Sequence, residues 1–160
     1  ANGFMVNLVL IGDGAIKHNL ENTSSNLGLQ SQVWFYGSCY DENEIGNLIF
    51  NSSLCVSPGN VGLTAIHSLM YGTPVCTHST FCHQGPEFES VTEGVNGFFF
   101  KEDNVYDLSM KIQDWLTKYG LPEEREAIRP ACYSVIDAKY NPTYQIKVLS
   151  SILNENSTDK

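Results

Sequence analysis

Three apolar runs in the first sixty residues end on glycine or proline, and this recurrence constrains the fold more than any other feature. The run from Phe4 through Met5, Val6, Leu8, Val9, Leu10 and Ile11 stops at Gly12-Asp13-Gly14. Val33-Trp34-Phe35-Tyr36 stops at Gly37, and Ser53-Leu54-Cys55-Val56-Ser57 stops at Pro58-Gly59. Short runs of this kind, rich in branched and aromatic residues, read as parallel strands covered on both faces. Two further runs follow at similar intervals, Pro74-Val75-Cys76-Thr77 and Gly97-Phe98-Phe99-Phe100.

Helical segments fall between them. Residues 15–27 make a weak candidate, because Asn22-Thr23-Ser24-Ser25 compete with the helix for backbone hydrogen bonds. Asp41 can cap a helix reaching about Asn51, with Ile45, Leu48 and Ile49 on one face. Leu63, Ile66 and Met70 are expected on the inward face of a helix that Gly72 and Pro74 terminate. A short helix is expected near residues 86–93. Residues 105–119 form an amphipathic helix with Leu108, Ile112, Trp115 and Leu116 inward. Helices over 125–140 and 144–154 are separated by Asn141-Pro142, with Pro130 expected to delay the first. Residues 155–160 are expected to fray. Strands alternating with helices in this way predict an α/β, doubly wound, Rossmann-like parallel sheet.

Charge narrows the function. The 160 residues carry a formal net charge of −9, which argues against a nucleic-acid partner. No Lys or Arg occurs between Lys17 and Lys101. Any phosphate bound by that stretch would have to be held by backbone amides, helix dipoles or groups from elsewhere. Five scattered Cys without a CxxC pair favour reduced thiols. No apolar run reaches the roughly 20 residues of a membrane span. The start at Ala1, with neither initiator Met nor signal peptide, reads as a cut boundary.

In open parallel sheets, ligands bind beyond the carboxyl ends of the strands. Gly12 and Gly14 could begin a dinucleotide fingerprint or simply make a tight turn, since Lys17 stands where a third glycine belongs. Gly59-Asn60-Val61-Gly62-Leu63-Thr64 joins a buried strand to a helix start, where free amides form an anion site and Thr64 adds a hydroxyl. His67, four residues after Leu63, is placed at the edge of the buried face. Both a packed histidine and one directed at the loop fit that position. His78, Cys82 and His83 have zinc-ligand chemistry without an evident fourth ligand, and no metal is required by the residues seen.

In family order, Leu8 to Gly14, Val33 to Gly37, Gly62-Leu63-Thr64 to Gly72-Thr73-Pro74-Val75, and Glu93-Gly94-Val95-Asn96-Gly97-Phe98 resemble a known domain. It is the C-terminal, donor-binding domain of retaining GT-B glycosyltransferases of the family-4 type. The resemblance covers about residues 5–118, and it implies a domain that binds the nucleotide of a sugar-nucleotide substrate, without a cofactor. Two glutamates eight apart are usual in that family; Gly59 and His67 stand at the matching positions. The resemblance implies that His67 holds the ribose and Gly59 to Thr64 cradle phosphate and ribose. Backbone near Tyr36-Gly37 would meet the base. Glu89, five residues before Gly94, would cover the sugar.

The implied reaction is hexosyl transfer to a saccharide or lipid-linked acceptor in bacterial surface-polysaccharide synthesis. The implied setting is cytoplasmic, including the inner face of the membrane. An N-terminal acceptor domain, with an Arg and a Lys for the diphosphate, is expected outside this chain, which alone should be inactive. Two alternatives stand beside this reading. One is a non-catalytic nucleotide-binding or interaction domain. The other is a sugar-nucleotide epimerase of the same fold, whose acidic segment Ile66-His67-Ser68 does not supply.

Overall fold

The computed structural model describes residues 5–155; Phe4 and residues 156–160, where a strand start and a frayed tail are predicted, lie outside the described residues. Two compact units divide between Asn47 and Leu48. The architecture is α/β, and every strand pairing is parallel.

In the first unit β1 (Leu8–Ile11) pairs with β2 (Val33–Gly37), connected by α1 (Lys17–Asn26). α2 (Glu42–Phe50) begins here. Asp41 caps it as expected: its Oδ1 accepts the amides of Asn43 and Glu44 at 2.9 and 3.0 Å.

The second unit holds a sheet ordered β3 (Cys55–Ser57), β4 (Val75–His78), β5 (Gly97–Phe100). Alternation along the strands builds two cores. Cys55, Val75 and Phe99 pack with Ala65, Ile66 and Leu69 of α3 (Leu63–Met70) and Cys132 and Ile136 of α5 (Pro122–Lys139). Val56, Cys76, Phe98 and Phe100 pack with Leu108, Ile112, Trp115 and Leu116 of α4 (Val105–Tyr119). Helical cover on both faces is why these strands read as continuous apolar runs. α6 (Pro142–Glu155) follows α5. Among the described residues no helix is long and apolar enough to cross a membrane.

Several expectations need correction. β1 starts at Leu8, so Met5, Val6 and Asn7 of the predicted run lie outside the strand, and β1 and β2 are partly exposed where the sequence predicts strands covered on both faces. The buried face of α3 is Ala65, Ser68 and Leu69, whereas Leu63 is 74% exposed and Met70 46% exposed. Small Ala65 and Ser68 let the helix lie close to the sheet, so the larger apolar residues flank the contact. α5 begins at Pro122, ahead of the predicted Arg125. Proline is suited to the first helical position, and the Glu124 carboxylate accepts the Leu121 amide at 3.1 Å. Pro130 lies inside α5 rather than at its start. It is exposed, so the carbonyl it leaves unpaired can be hydrated, while buried Ile128, Arg129, Cys132 and Ile136 hold the helix on the opposite side.

The segment expected as a helix near 86–93 is a 3-10 turn over Pro86–Ser90, and the loop before it holds another over Phe81–His83. Gly72 has φ +75°, and a Cβ there would come within 2.6 Å of the Tyr133 hydroxyl. Glycine is therefore demanded twice over at the end of α3.

Two arginines of α5 close helix ends. The buried Arg129 donates to the carbonyls of Phe50 (2.9 Å), Tyr71 (3.3 Å) and Gly72 (3.4 Å), and to Glu126 at 2.8 Å. Arg125 donates to the Asn51 carbonyl at 2.8 Å. Cations thus meet the negative carboxyl ends of α2 and α3 and satisfy their unpaired carbonyls.

Candidate functional site

The sequence candidates in the first unit are Gly12, Gly14, Tyr36 and Gly37. Gly12 donates its amide to the Gly37 carbonyl at 2.8 Å, joining the carboxyl ends of β1 and β2. Both glycines have positive φ, +135° and +87°. The amide of Gly14 donates to Asp13 Oδ1 at 2.8 Å, and Lys17 pairs with Asp13 at 3.5 Å, so the cation at this turn is already engaged. The Tyr36 hydroxyl donates to Glu44.

The remaining candidates lie in the second unit. The loop from Pro58 leads off β3 into α3, whose N-cap is Gly62 with no side-chain capping bond. The Ala65 amide donates to the Gly62 carbonyl at 3.0 Å and starts the helix. Among the described residues, the amides of Gly62, Leu63 and Thr64 have no acceptor. A Cβ at Gly59 or Gly62 would meet nothing within 4 Å, so the backbone is open on that side. Unpaired amides at a helix start are an electropositive, donor-only surface.

Val61 differs from its neighbours. Its side chain is fully buried, and its amide donates to Gln84 Oε1 at 2.7 Å. Asn60 Oδ1 accepts the Gly85 amide at 3.1 Å. The loop is thus fastened to the segment after β4. Gln84 was not legible as a site residue, since no motif marks it.

His67 is half-buried on α3, with its ring 5.4 Å from that of Tyr71. It lies one helical turn below exposed Leu63 and roughly opposite buried Ala65 and Leu69, so the apolar core does not enclose it. Glu87 is half-buried, its Oε2 within 2.7 Å of the Cβ position of Gly85, so it folds back on the loop. Glu89 is exposed. The Tyr140 hydroxyl is pushed up by burial and then by the charges of Glu89 and Glu87.

His78 and His83 converge on Glu102, which sequence reasoning missed. His83 Nδ1 donates to both carboxylate oxygens at 3.0 and 2.9 Å. His78 is buried; its Nδ1 accepts the Thr80 amide at 3.3 Å, which leaves Nε2 facing Glu102 at 3.7 Å. Hydrogen bonds from Thr80 and His83 hold the Glu102 carboxyl below its ordinary value. Cys82 is exposed and outside this cluster. Among the described residues no three His, Cys, Asp or Glu side chains are grouped to hold a metal ion. All five cysteines are free. Burial pushes the Cys55 and Cys76 thiols up, and that of Cys132 up to about 12.

A cavity of about 290 Å³ between β5 and α4 is lined by Glu93, Phe98, Lys111, Trp115 and Tyr119 among others. It contains no sequence candidate, and Glu93 and Lys111 are committed to the Phe99 backbone.

The family model described as "Glycosyl transferases group 1" matches residues 5–135, and the chain belongs to that family. It is 27% identical over 106 residues to EpsD of Bacillus subtilis (strain 168), covering 66% of this chain and 27% of that protein. The crystal structure of Anabaena HepE in complex with UDP superposes with a TM-score of 0.73 at 19% identity, over 93% of this chain and 41% of that one. A glycosyltransferase from Rickettsia africae ESF-5 gives a TM-score of 0.76 at 18% identity, over 99% and 42%. The chain thus spans well under half the length of these relatives, and the structural likeness establishes a GT-B-type Rossmann-like fold.

Proposed function

We propose that this group 1 glycosyl transferase domain binds the diphosphate of a nucleotide-sugar donor at the amino end of α3. The observation that carries this reading is the set of unpaired amides at Gly62, Leu63 and Thr64, presented by a loop fastened through the Val61 amide and Asn60 Oδ1. With no Lys or Arg between Lys17 and Lys101, these amides and the α3 dipole supply the positive potential from this part of the chain. His67, one turn along, holds ribose hydroxyls through a ring nitrogen. Glu87 supports the loop, and exposed Glu89 remains available to the sugar.

Catalysis in this reading is electrostatic: amides fixed before the reaction stabilise charge developing on the leaving diphosphate. The overall reaction is hexosyl transfer to a saccharide or lipid-linked acceptor in surface-polysaccharide synthesis. The chain acts as the C-terminal donor domain of a family-4-type retaining enzyme. The UDP and UDP-glucose complexes of HepE support the choice of donor class.

The test is equilibrium binding of UDP, GDP, UDP-glucose and uridine to the chain. A diphosphate should bind with a dissociation constant on the order of 0.1–10 mM, and uridine, which lacks the anion, more weakly. Equal affinity for UDP and uridine would contradict the phosphate assignment.

A further inference from the structure

Gln84 connects the loop before α3 to the rigid part of the sheet. Its Oε1 accepts the Val61 amide at 2.7 Å, while its Nε2 donates to Thr77 Oγ1 and the His78 carbonyl, both at 2.9 Å. Acceptor and donors of one carboxamide are therefore used in opposite directions. Thr77 and His78 are both buried at the carboxyl end of β4. The anchor is thus the central strand of its sheet. The neighbouring Gly85 amide adds the bond to Asn60, and the His83–Glu102 contact holds the same segment from its other side.

From this geometry we infer that Gln84 is a positioning residue for the phosphate cradle, acting through Val61. The bond to the Val61 amide fixes the Asn60–Val61 peptide, and the buried Val61 side chain fixes the residue itself, so the two together orient the peptides of Gly62, Leu63 and Thr64 that follow. The inference rests on the phosphate reading above. Without the Gln84 bond, the Val61 amide must seek another acceptor and the loop samples other conformations. Apparent affinity falls in proportion to the fraction of time the cradle is assembled.

Two substitutions test this. Gln84→Met keeps the length of the side chain and removes its hydrogen bonds. Thr77→Val keeps the β4 shape and removes one anchor of Gln84 together with the 3.5 Å bond from the Thr77 hydroxyl to the Gly59 carbonyl. Each chain is titrated with UDP by NMR at a temperature where its spectrum shows it folded, and hydrogen exchange at the Val61 amide is measured. Gln84→Met should weaken UDP binding about tenfold and abolish protection at Val61; Thr77→Val should weaken binding less. Should Gln84→Met not fold, Gln84→Asn, whose shorter side chain cannot span Val61 and β4 together, decides by the same two readouts. A folded variant that loses Val61 protection yet binds UDP within about twofold of wild type overturns the positioning role alone. A wild-type chain that ignores UDP overturns the phosphate reading, and the inference with it.

Discussion

The guanidinium of Arg129 lies 3.8 Å over the ring of Phe50 and donates to the carbonyl of the same residue at 2.9 Å. One side chain thus stacks on the last residue of α2 and closes that helix, while also meeting the carbonyls of Tyr71 and Gly72 after α3. Arg129→Met should cost about 3 kcal/mol, because buried carbonyls lose their donor. Arg129→Lys should cost about 2 kcal/mol, since an ammonium cannot match the planar fork. Urea unfolding followed through Trp115, with Trp34 replaced by Phe, measures both. Losses under about 0.5 kcal/mol would contradict the closing role.

The outer edge of β5 is covered by side chains. Glu93 accepts the Phe99 amide at 2.7 Å, and Lys111 donates to the Phe99 carbonyl. Both groups would otherwise offer a template for another strand. The pair Glu93→Met and Lys111→Met should therefore increase concentration-dependent association. Light scattering against concentration tests this, and a double variant as monodisperse as wild type would contradict it.

Glu102 makes a prediction with a defined sign. Its carboxyl is held below the ordinary value by Thr80 and His83. A group lowered on folding contributes stability that is complete above its unfolded value and is lost as pH falls through its folded one. Glu102→Gln should therefore destabilise at neutral pH, with the difference narrowing from about pH 6 to about pH 3. Urea unfolding across that range measures it, and a constant difference would argue against the linkage.

Much of the frame was legible because apolar runs with glycine stops report strands whatever their surroundings. β2, β5 and α4 lie at the predicted boundaries. The face of α3 was not legible, because periodicity weighs large residues, whereas close packing there selects Ala65 and Ser68. Pro130 was misread because a local penalty gave way to the packing of Ile128, Cys132 and Ile136. The loop glycines Gly59 and Gly62 could be found from their place between strand and helix. Gln84 and Glu102 could not, since each acts on partners distant in sequence.

His67→Ala should weaken UDP binding about three- to tenfold and change stability by less than about 1 kcal/mol, because the core does not enclose the ring. Glu89→Gln should weaken UDP-glucose binding more than UDP binding, whereas Glu87→Gln should affect both ligands alike. Calorimetric titration of the three variants decides. A His67→Ala variant that loses stability and keeps affinity would identify a packing residue.

The most direct measurement is a residue-resolved NMR titration of the wild-type chain with UDP. The largest amide shifts should fall at Gly62, Leu63 and Thr64, extend over residues 57–68, and saturate with one dissociation constant. Saturating UDP that leaves those three amides unmoved, with shifts elsewhere or none, would contradict the assignment of the α3 amino end as the donor phosphate site.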